Sequence, residues 1–181
     1  EKMIQKIIFE IERLIDYTNV SKLVYIAIDG IAPKGKMKQQ RMRRYKNALE
    51  RKYSDEKRWN TNAISPGTFF MKRLNTELKE YIQTLSVKTI LSDSDERGEG
   101  EHKILHYIKN NKLSGNISIY GLDADLIMLA LNHLPISKQI YLYRETPEFI
   151  KSLNRDLEPG EPYFLDIPKL AQTIRLDMTG T

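Results

Sequence analysis

The sequence contains no cysteine and no long apolar segment, and both absences narrow the classes of protein to which it can belong. Without cysteine there is no disulfide, no Cys-ligated zinc, no iron–sulfur cluster and no thiol nucleophile, which favours a reducing compartment. Charged residues interrupt every apolar run before it reaches the roughly 18 residues that suggest a membrane-spanning helix, so we expect no membrane partner. The N-terminal segment alternates charged residues with Ile and Leu at helical spacing, which is not typical of a signal peptide.

The chain does contain enough apolar material for a folded core. Of its 181 residues, 40% are hydrophobic and 29% are charged, which excludes a disordered tail. This length is typical of one domain rather than two. We therefore expect residues 1–181 to form a single segment of one domain.

Short apolar runs alternate along the chain with amphipathic segments. The runs predict strands at residues 23–28, 87–91, 116–120, 139–143 and 162–166. The other segments predict helices at residues 2–18, after Pro33, at about 69–84, at 102–110, before about 132, and from Pro168. This alternation predicts an α/β fold, a Rossmann-like and mostly parallel sheet flanked by helices.

Positive charge is concentrated in one segment. Residues 34–52 hold nine lysines and arginines against one acid, Glu50, so their net charge is +8 within a chain whose net charge is +5. The rest of the chain is therefore slightly acidic. A local cationic helix of this kind indicates an anion-binding element, although a solvated basic face is the simpler alternative.

Acidic residues follow three of the predicted strands, where an open parallel sheet binds its ligands. The five carboxylates are Asp29 after the first strand, Glu99 and Glu101 after the second, and Asp123 and Asp125 after the third. Carboxylates gathered at one edge repel each other unless cations lie between them, and oxygen ligands suit Mg²⁺ or Mn²⁺. Two such ions could stabilise the attacking and leaving oxygens of a phosphoryl displacement, which predicts a metal-dependent enzyme acting on a phosphodiester.

Two other patterns are weaker. Residues 30–36 match the spacing of a phosphate-binding loop, but Met37 stands where that motif needs Ser or Thr, and Pro33 removes an amide donor. His102 and His106 lie four residues apart and could chelate a metal, although such a pair is more often ordinary helix surface.

Four blocks of the sequence, taken in order, resemble the signature blocks of the eukaryotic 5′→3′ exoribonucleases. They are LVYIAIDGIAPKGKMKQQRMRRYKNA, ISPGTFFMKRL, RGEGEHKILHYI and IYGLDADLIMLAL. The resemblance runs from about residue 4 to residue 166. It implies a PIN-like nuclease core related to flap endonucleases, and a hydrolase of RNA decay that converts 5′-monophosphorylated single-stranded RNA to nucleoside 5′-monophosphates.

The resemblance also assigns residues. It implies that the five carboxylates above are catalytic, metal-binding positions, using Mg²⁺ or Mn²⁺ and two ions. It implies that Lys36, Gln40, Arg43 and Arg44 bind the 5′-phosphate, and their i, i+4, i+7, i+8 spacing places them on one helix face. The family has a further strand before this segment and a further acidic block after it, so we expect an incomplete nuclease domain that need not cleave RNA by itself.

Three other functions are compatible with the sequence. A structure-specific DNA flap nuclease would need the same acids, an RNA 5′-end-binding pseudo-nuclease would keep the pocket without turnover, and a scaffold for partner proteins would use the amphipathic terminal helices. A cytoplasmic location is favoured over a nuclear one.

Overall fold

The computed structural model describes residues 1–53, 59–121, 123–146 and 155–180. The chain divides into two compact units, Glu1–Ile104 and Leu105–Thr181. The prediction of a single segment of one domain stays a prediction. Within the described residues, the helices are too short or too polar to cross a membrane.

The first unit contains a two-stranded parallel sheet and three complete helices. The helices are α1 (Lys2–Thr18), α2 (Lys34–Tyr53) and α3 (Phe69–Tyr81), and the strands are β1 (Val24–Ala27) and β2 (Thr89–Ser92). The strands pair in register from Val24 opposite Thr89 to Ala27 opposite Ser92. A fourth helix, α4 (Gly100–Asn110), begins in this unit and continues past its boundary. Parallel pairing brings the carboxyl ends of both strands to one edge.

The core of the first unit lies between α1 and α3. Ile4 of α1 packs with three buried residues of α3, and partly buried isoleucines of α1 cover the same cluster. The three are Met71, Leu74 and Leu78. Thr68 caps α3, because its hydroxyl accepts a hydrogen bond from the Met71 amide.

The second unit contains a three-stranded sheet. Its elements are β3 (Ile117–Tyr120), α5 (Asp125–His133), β4 (Ile140–Glu145), β5 (Pro162–Asp166) and α6 (Ile167–Thr179). The strand order is β3-β4-β5, with β3 and β4 parallel and β4 and β5 antiparallel. Buried side chains of the strands and helices form its interior: Ile119, Leu126, Ala130, Ile140, Leu142, Tyr143 and Ile167.

The α/β fold and the predicted order of elements are confirmed, with one difference in strand direction. β1 with β2 and β3 with β4 pair in parallel, as a mostly parallel sheet predicts, whereas β5 runs antiparallel to β4. Thr146 directly after β4 donates its amide to the Glu161 carbonyl directly before β5, at 3.0 Å. The chain therefore returns to the end where β4 finishes, which places the next strand antiparallel.

Candidate active site

Asp29 lies two residues beyond β1, in backbone that continues to bond with the segment after β2. The Ile28 amide donates to the Ser92 carbonyl at 2.9 Å, and the Gly30 amide donates to the Gly98 carbonyl at 2.8 Å. The Gly98 amide in turn donates to the carbonyl of Ile31 at 3.0 Å. The chain is therefore bonded to the end of β2 just before Asp29 and to the loop before α4 just after it.

Gly30 is buried in this contact, and no larger residue fits there. A methyl group built at Gly30 would lie 1.7 Å from the carbonyl oxygen of Glu96. That distance is far inside van der Waals contact, so the backbone approach requires glycine. Steric exclusion therefore explains why a glycine follows Asp29 beyond the end of β1.

Asp29 also fixes the start of α4. Its Oδ1 accepts a hydrogen bond from the Gly100 amide at 2.6 Å, across 71 positions of sequence. Glu99 directly precedes Gly100, and Glu101 follows it in the first turn of α4. We call Asp29, Glu99 and Glu101 the acidic site. The partial positive charge of the helix N-terminus favours carboxylates at this position.

Glu99 is the buried member of the acidic site, with 7% of the residue exposed. A carboxylate in that position needs a charged or hydrogen-bonded partner, and Lys36 at the beginning of α2 donates to its Oε2. This hydrogen bond is the main cause of a raised pKa at Lys36, and the charges of Glu99, Glu101 and Asp29 raise it further against desolvation. Lys36 is therefore a cation that faces the whole acidic site.

Two of the acids and a neighbouring histidine could hold a cation together. Glu99, Glu101 and His102 each offer a ligand atom, and these atoms lie within 4.8 Å of one another. Oxygen donors from two carboxylates suit Mg²⁺, and an added imidazole is also compatible with Mn²⁺. The residues present therefore fit a divalent cation. Their role as ligands, and that of Asp29, stays a prediction.

His102 takes a different neighbour from the one that its spacing suggests. Its Nε2 lies 3.9 Å from Oε1 of Glu101, whereas Nε2 of His106 lies 2.7 Å from Nδ2 of Asn110. The i, i+4 histidine pattern therefore points to the wrong partner. The informative signal is that His102 directly follows Glu101 in the first turn of α4.

Asp123 and Asp125 belong to the second unit, at the carboxyl end of β3. Oδ1 of Asp123 accepts a hydrogen bond from the Asp125 amide at 3.2 Å, and Asp125 is the first residue of α5. Both side chains are exposed. Each unit thus places its predicted acids beyond a parallel strand pair, and the convergence of all five stays a prediction.

The four residues implied in phosphate binding all lie on α2, on the face that their spacing predicts. We call Lys36, Gln40, Arg43 and Arg44 the basic face. Lys36 and Arg43 are exposed, and the other two are half-buried. Arg44 donates to Ser65 Oγ at 3.3 Å, and its own carbonyl accepts from Asn62 Nδ2 at 3.0 Å. Their function stays a prediction.

The alternative of a phosphate-binding loop at residues 30–36 finds little support in the backbone. A loop of that kind holds phosphate with free amides, but the Gly30 amide donates to Gly98. The amides of Lys36 and Met37 both donate to the carbonyl of Pro33, at 2.9 Å and 3.1 Å. Three donors of the supposed cradle are thus occupied within the protein.

Comparison with known proteins identifies the family to which this site belongs. The family described as the XRN 5′-3′ exonuclease N-terminus matches residues 1–146, which is most of the chain. The chain belongs to this family. The sequence-based assignment to the 5′→3′ exoribonucleases is thereby confirmed, together with the nuclease class of the fold.

Curated relatives agree. The chain is 34% identical to 5′-3′ exoribonuclease 1 of Schizosaccharomyces pombe and 34% identical to 5′-3′ exoribonuclease 1 of Saccharomyces cerevisiae, over 98% of its length in both cases. It is 38% identical to 5′-3′ exoribonuclease 2 of Cryptococcus neoformans over 72% of its length. It spans 13–15% of the length of these relatives.

Proposed function

We propose that this chain is part of the nuclease domain of a 5′→3′ exoribonuclease that degrades 5′-monophosphorylated RNA to nucleoside 5′-monophosphates. The observation that carries the proposal is the contact between Lys36 and Glu99, which joins the basic face to the acidic site. A terminal phosphate bound by the basic face would lie next to carboxylates suited to a cation. Membership of the exonuclease family and relatives named 5′-3′ exoribonucleases support the same conclusion.

The basic face would hold the terminal phosphate of each new RNA end. Lys36 supplies a compact ammonium, and Arg43 and Arg44 supply planar guanidinium groups with paired donors. Gln40 adds an uncharged amide donor. A monophosphate carries close to two negative charges, so the face would prefer it to a 5′-hydroxyl. After each cleavage the RNA would move by one nucleotide, and its new 5′-phosphate would return to the same donors.

The acidic site would hold Mg²⁺ or Mn²⁺, and we propose that the reaction uses two such ions. Such ions supply positive charge that stabilises the attacking and leaving oxygens of a phosphodiester. Asp29 would orient the start of α4 through its bond to the Gly100 amide, while Glu99 and Glu101 would present oxygen donors. The reaction requires no side-chain nucleophile. Trapping a covalent enzyme–nucleotide intermediate would contradict this mechanism.

The test follows 3′-labelled RNAs that carry a 5′-monophosphate, a 5′-hydroxyl or a 5′-triphosphate, in Mg²⁺ and in EDTA. It uses the full-length protein, because the chain spans only 13–15% of the length of its relatives. We expect loss of the monophosphate RNA alone, mononucleotide products, and complete inhibition by EDTA. An identical DNA series and a branched DNA flap serve as the comparison substrates.

Each other result identifies a different function. Tight binding of the monophosphate RNA without metal-dependent turnover would show a recognition protein and overturn the catalytic proposal. Faster cleavage of branched DNA than of any RNA would show a flap nuclease. Equal cleavage of all three RNA ends would overturn the role of the basic face.

A further inference from the structure

Lys103 is a buried cation at the acidic site for which the proposed reaction has no use. Only 8% of the residue is exposed, although it lies on α4 two positions after Glu101. Burial lowers its pKa, and the charges of Glu96, Asp93 and Asp29 act in the opposite direction. Lysine is rarely buried unless it is paired, so its partners define its role.

The ammonium of Lys103 bonds to the ends of both strands of the first unit. Its Nζ donates to the carbonyl of Ile28 at 2.8 Å and to the carbonyl of Asp93 at 2.7 Å. Ile28 directly precedes Asp29, and Asp93 directly follows β2. One side chain of α4 therefore ties together the two backbone segments from which the acidic site is built.

These bonds reach the carboxylates through the backbone. The Lys103 amide donates to the carbonyl of Glu99 at 3.0 Å, so the lysine and Glu99 belong to the same first turns of α4. Asp29 is held in two ways: the preceding Ile28 carbonyl accepts a hydrogen bond from Lys103, and the Asp29 carboxylate accepts one from the Gly100 amide. If α4 shifted along the strand ends, the distance between Asp29 and Glu99 would change.

We propose that Lys103 is a positioning residue, whose ammonium holds the start of α4 against the ends of β1 and β2 and so sets the spacing of the carboxylates in the acidic site. The inference rests on the proposed function, because it assigns a purpose to that spacing. An ammonium fits this task because its three donors diverge from one compact point, so that one side chain can bond to both carbonyls.

The direction in which divalent-cation affinity changes when Lys103 is replaced separates a positioning role from a purely electrostatic one. A neutral residue at position 103 removes a positive charge near the acidic site, which by Coulomb attraction alone would strengthen the binding of a divalent cation. Loss of positioning has the opposite effect. Substitution of residues that support metal ligands weakens metal binding by about 10- to 100-fold.

The experiment measures Mn²⁺ binding by electron paramagnetic resonance in the full-length protein, with the variants Lys103→Met, Lys103→Gln and Lys109→Met. Lys109 is the matched control, since it is exposed on the same helix. We expect about 10-fold or greater weakening for Lys103→Met, a smaller loss for Lys103→Gln, and no change for Lys109→Met. Binding of 5′-phosphorylated RNA in EDTA should change less than about 2-fold, because the basic face is intact.

Unchanged or tighter Mn²⁺ binding in a folded Lys103 variant would overturn the proposal. So would unfolding of both variants, or an equal loss of RNA binding, since either would make Lys103 a general determinant of folding. Lys103→Gln keeps an amide donor for one carbonyl and guards against failure of the methionine variant to fold. Absence of Mn²⁺ binding in the unsubstituted protein would instead contradict the proposed function before Lys103 is tested.

Discussion

The basic helix α2 and the acidic site are neighbours, but they are built in opposite ways. None of the 20 residues of α2, all of which the structure describes, is buried. Around the acidic site, by contrast, Asp93, Glu99 and Lys103 are buried, and bonds such as Lys103 to Ile28 connect residues 75 positions apart. The comparison teaches that the basic face can vary at little cost to the fold, whereas the acidic site and the fold depend on the same contacts.

Glu101→Gln should give the largest effect on activity. It removes the charge of a predicted ligand and leaves the basic face unchanged, so RNA degradation should fall at least about 1,000-fold, equivalent to several kcal/mol of lost stabilisation. Affinity for 5′-phosphorylated RNA should stay within about 2-fold. Single-turnover degradation and fluorescence anisotropy measure the two quantities. Activity above a tenth of the unsubstituted level would mean that the activation free energy rises by less than about 1.4 kcal/mol. Such a small rise would show that Glu101 is not a ligand.

Gly30→Ala should give the largest effect on stability. The new methyl group would lie 1.7 Å from the carbonyl oxygen of Glu96, so the backbone beside Asp29 must move, at a cost of about 1–3 kcal/mol. Gly35→Ala is the matched control on α2, where the methyl group meets no atom within 4 Å. Because alanine favours a helix, this control should stabilise by up to about 1 kcal/mol. Equal free energies of unfolding for the two variants, measured with denaturant, would contradict the difference between the acidic site and α2.

Arg43→Ala should affect recognition without affecting the fold. Arg43 is exposed on α2, and a hydrogen bond to a charged group contributes about 1.5–3 kcal/mol, so affinity for 5′-phosphate RNA should fall by about 10- to 100-fold. Affinity for 5′-hydroxyl RNA should change little, and the thermal midpoint should not change. Competition binding with both RNAs measures the preference. Equal weakening for the two ends would contradict the assignment of the basic face.

Lys79→Met should give the smallest effect, and its pH dependence should identify the cause. Lys79 of α3 lies 2.5 Å from the buried Asp93 carboxylate. Burial raises the pKa of Asp93, but the hydrogen bonds from Lys79 and from the Asp95 backbone outweigh it and lower the pKa below its ordinary 3.8. A lowered pKa stabilises the fold above 3.8, and that stability is lost as pH falls through the folded-state value.

The thermal midpoint of Lys79→Met should therefore lie below that of the unsubstituted protein at neutral pH, and the gap should close in strong acid. Lys46→Met is the control on α2, because Lys46 and Glu50 are 3.7 Å apart and both exposed. Its midpoint should match the unsubstituted protein at every pH, since exposed pairs contribute little. A gap for Lys79→Met that does not change with pH would refute the electrostatic cause.

The sequence predicts the elements of the fold because each has a local cause. α1 begins and ends at the residues that its spacing of isoleucines predicts, and Thr68 caps α3 through a bond to its own chain segment. The direction of β5 was not predictable from such patterns. It depends on the pairing of Thr146 with Glu161, which lie 15 positions apart.

For the site, the sequence by itself determined which residues share a helix face and which acids follow a strand, because periods of 3.6 and 2 residues are properties of the local backbone. Only the tertiary structure decided that Lys36 bonds to Glu99 and that Asp29 accepts from the Gly100 amide. It also decided that a ligand atom of His102 lies within 4.8 Å of those of Glu99 and Glu101. These contacts join segments far apart in sequence or select one rotamer among several. They form when α2, β1, β2 and α4 pack together, because packing excludes water as a competing hydrogen-bond partner.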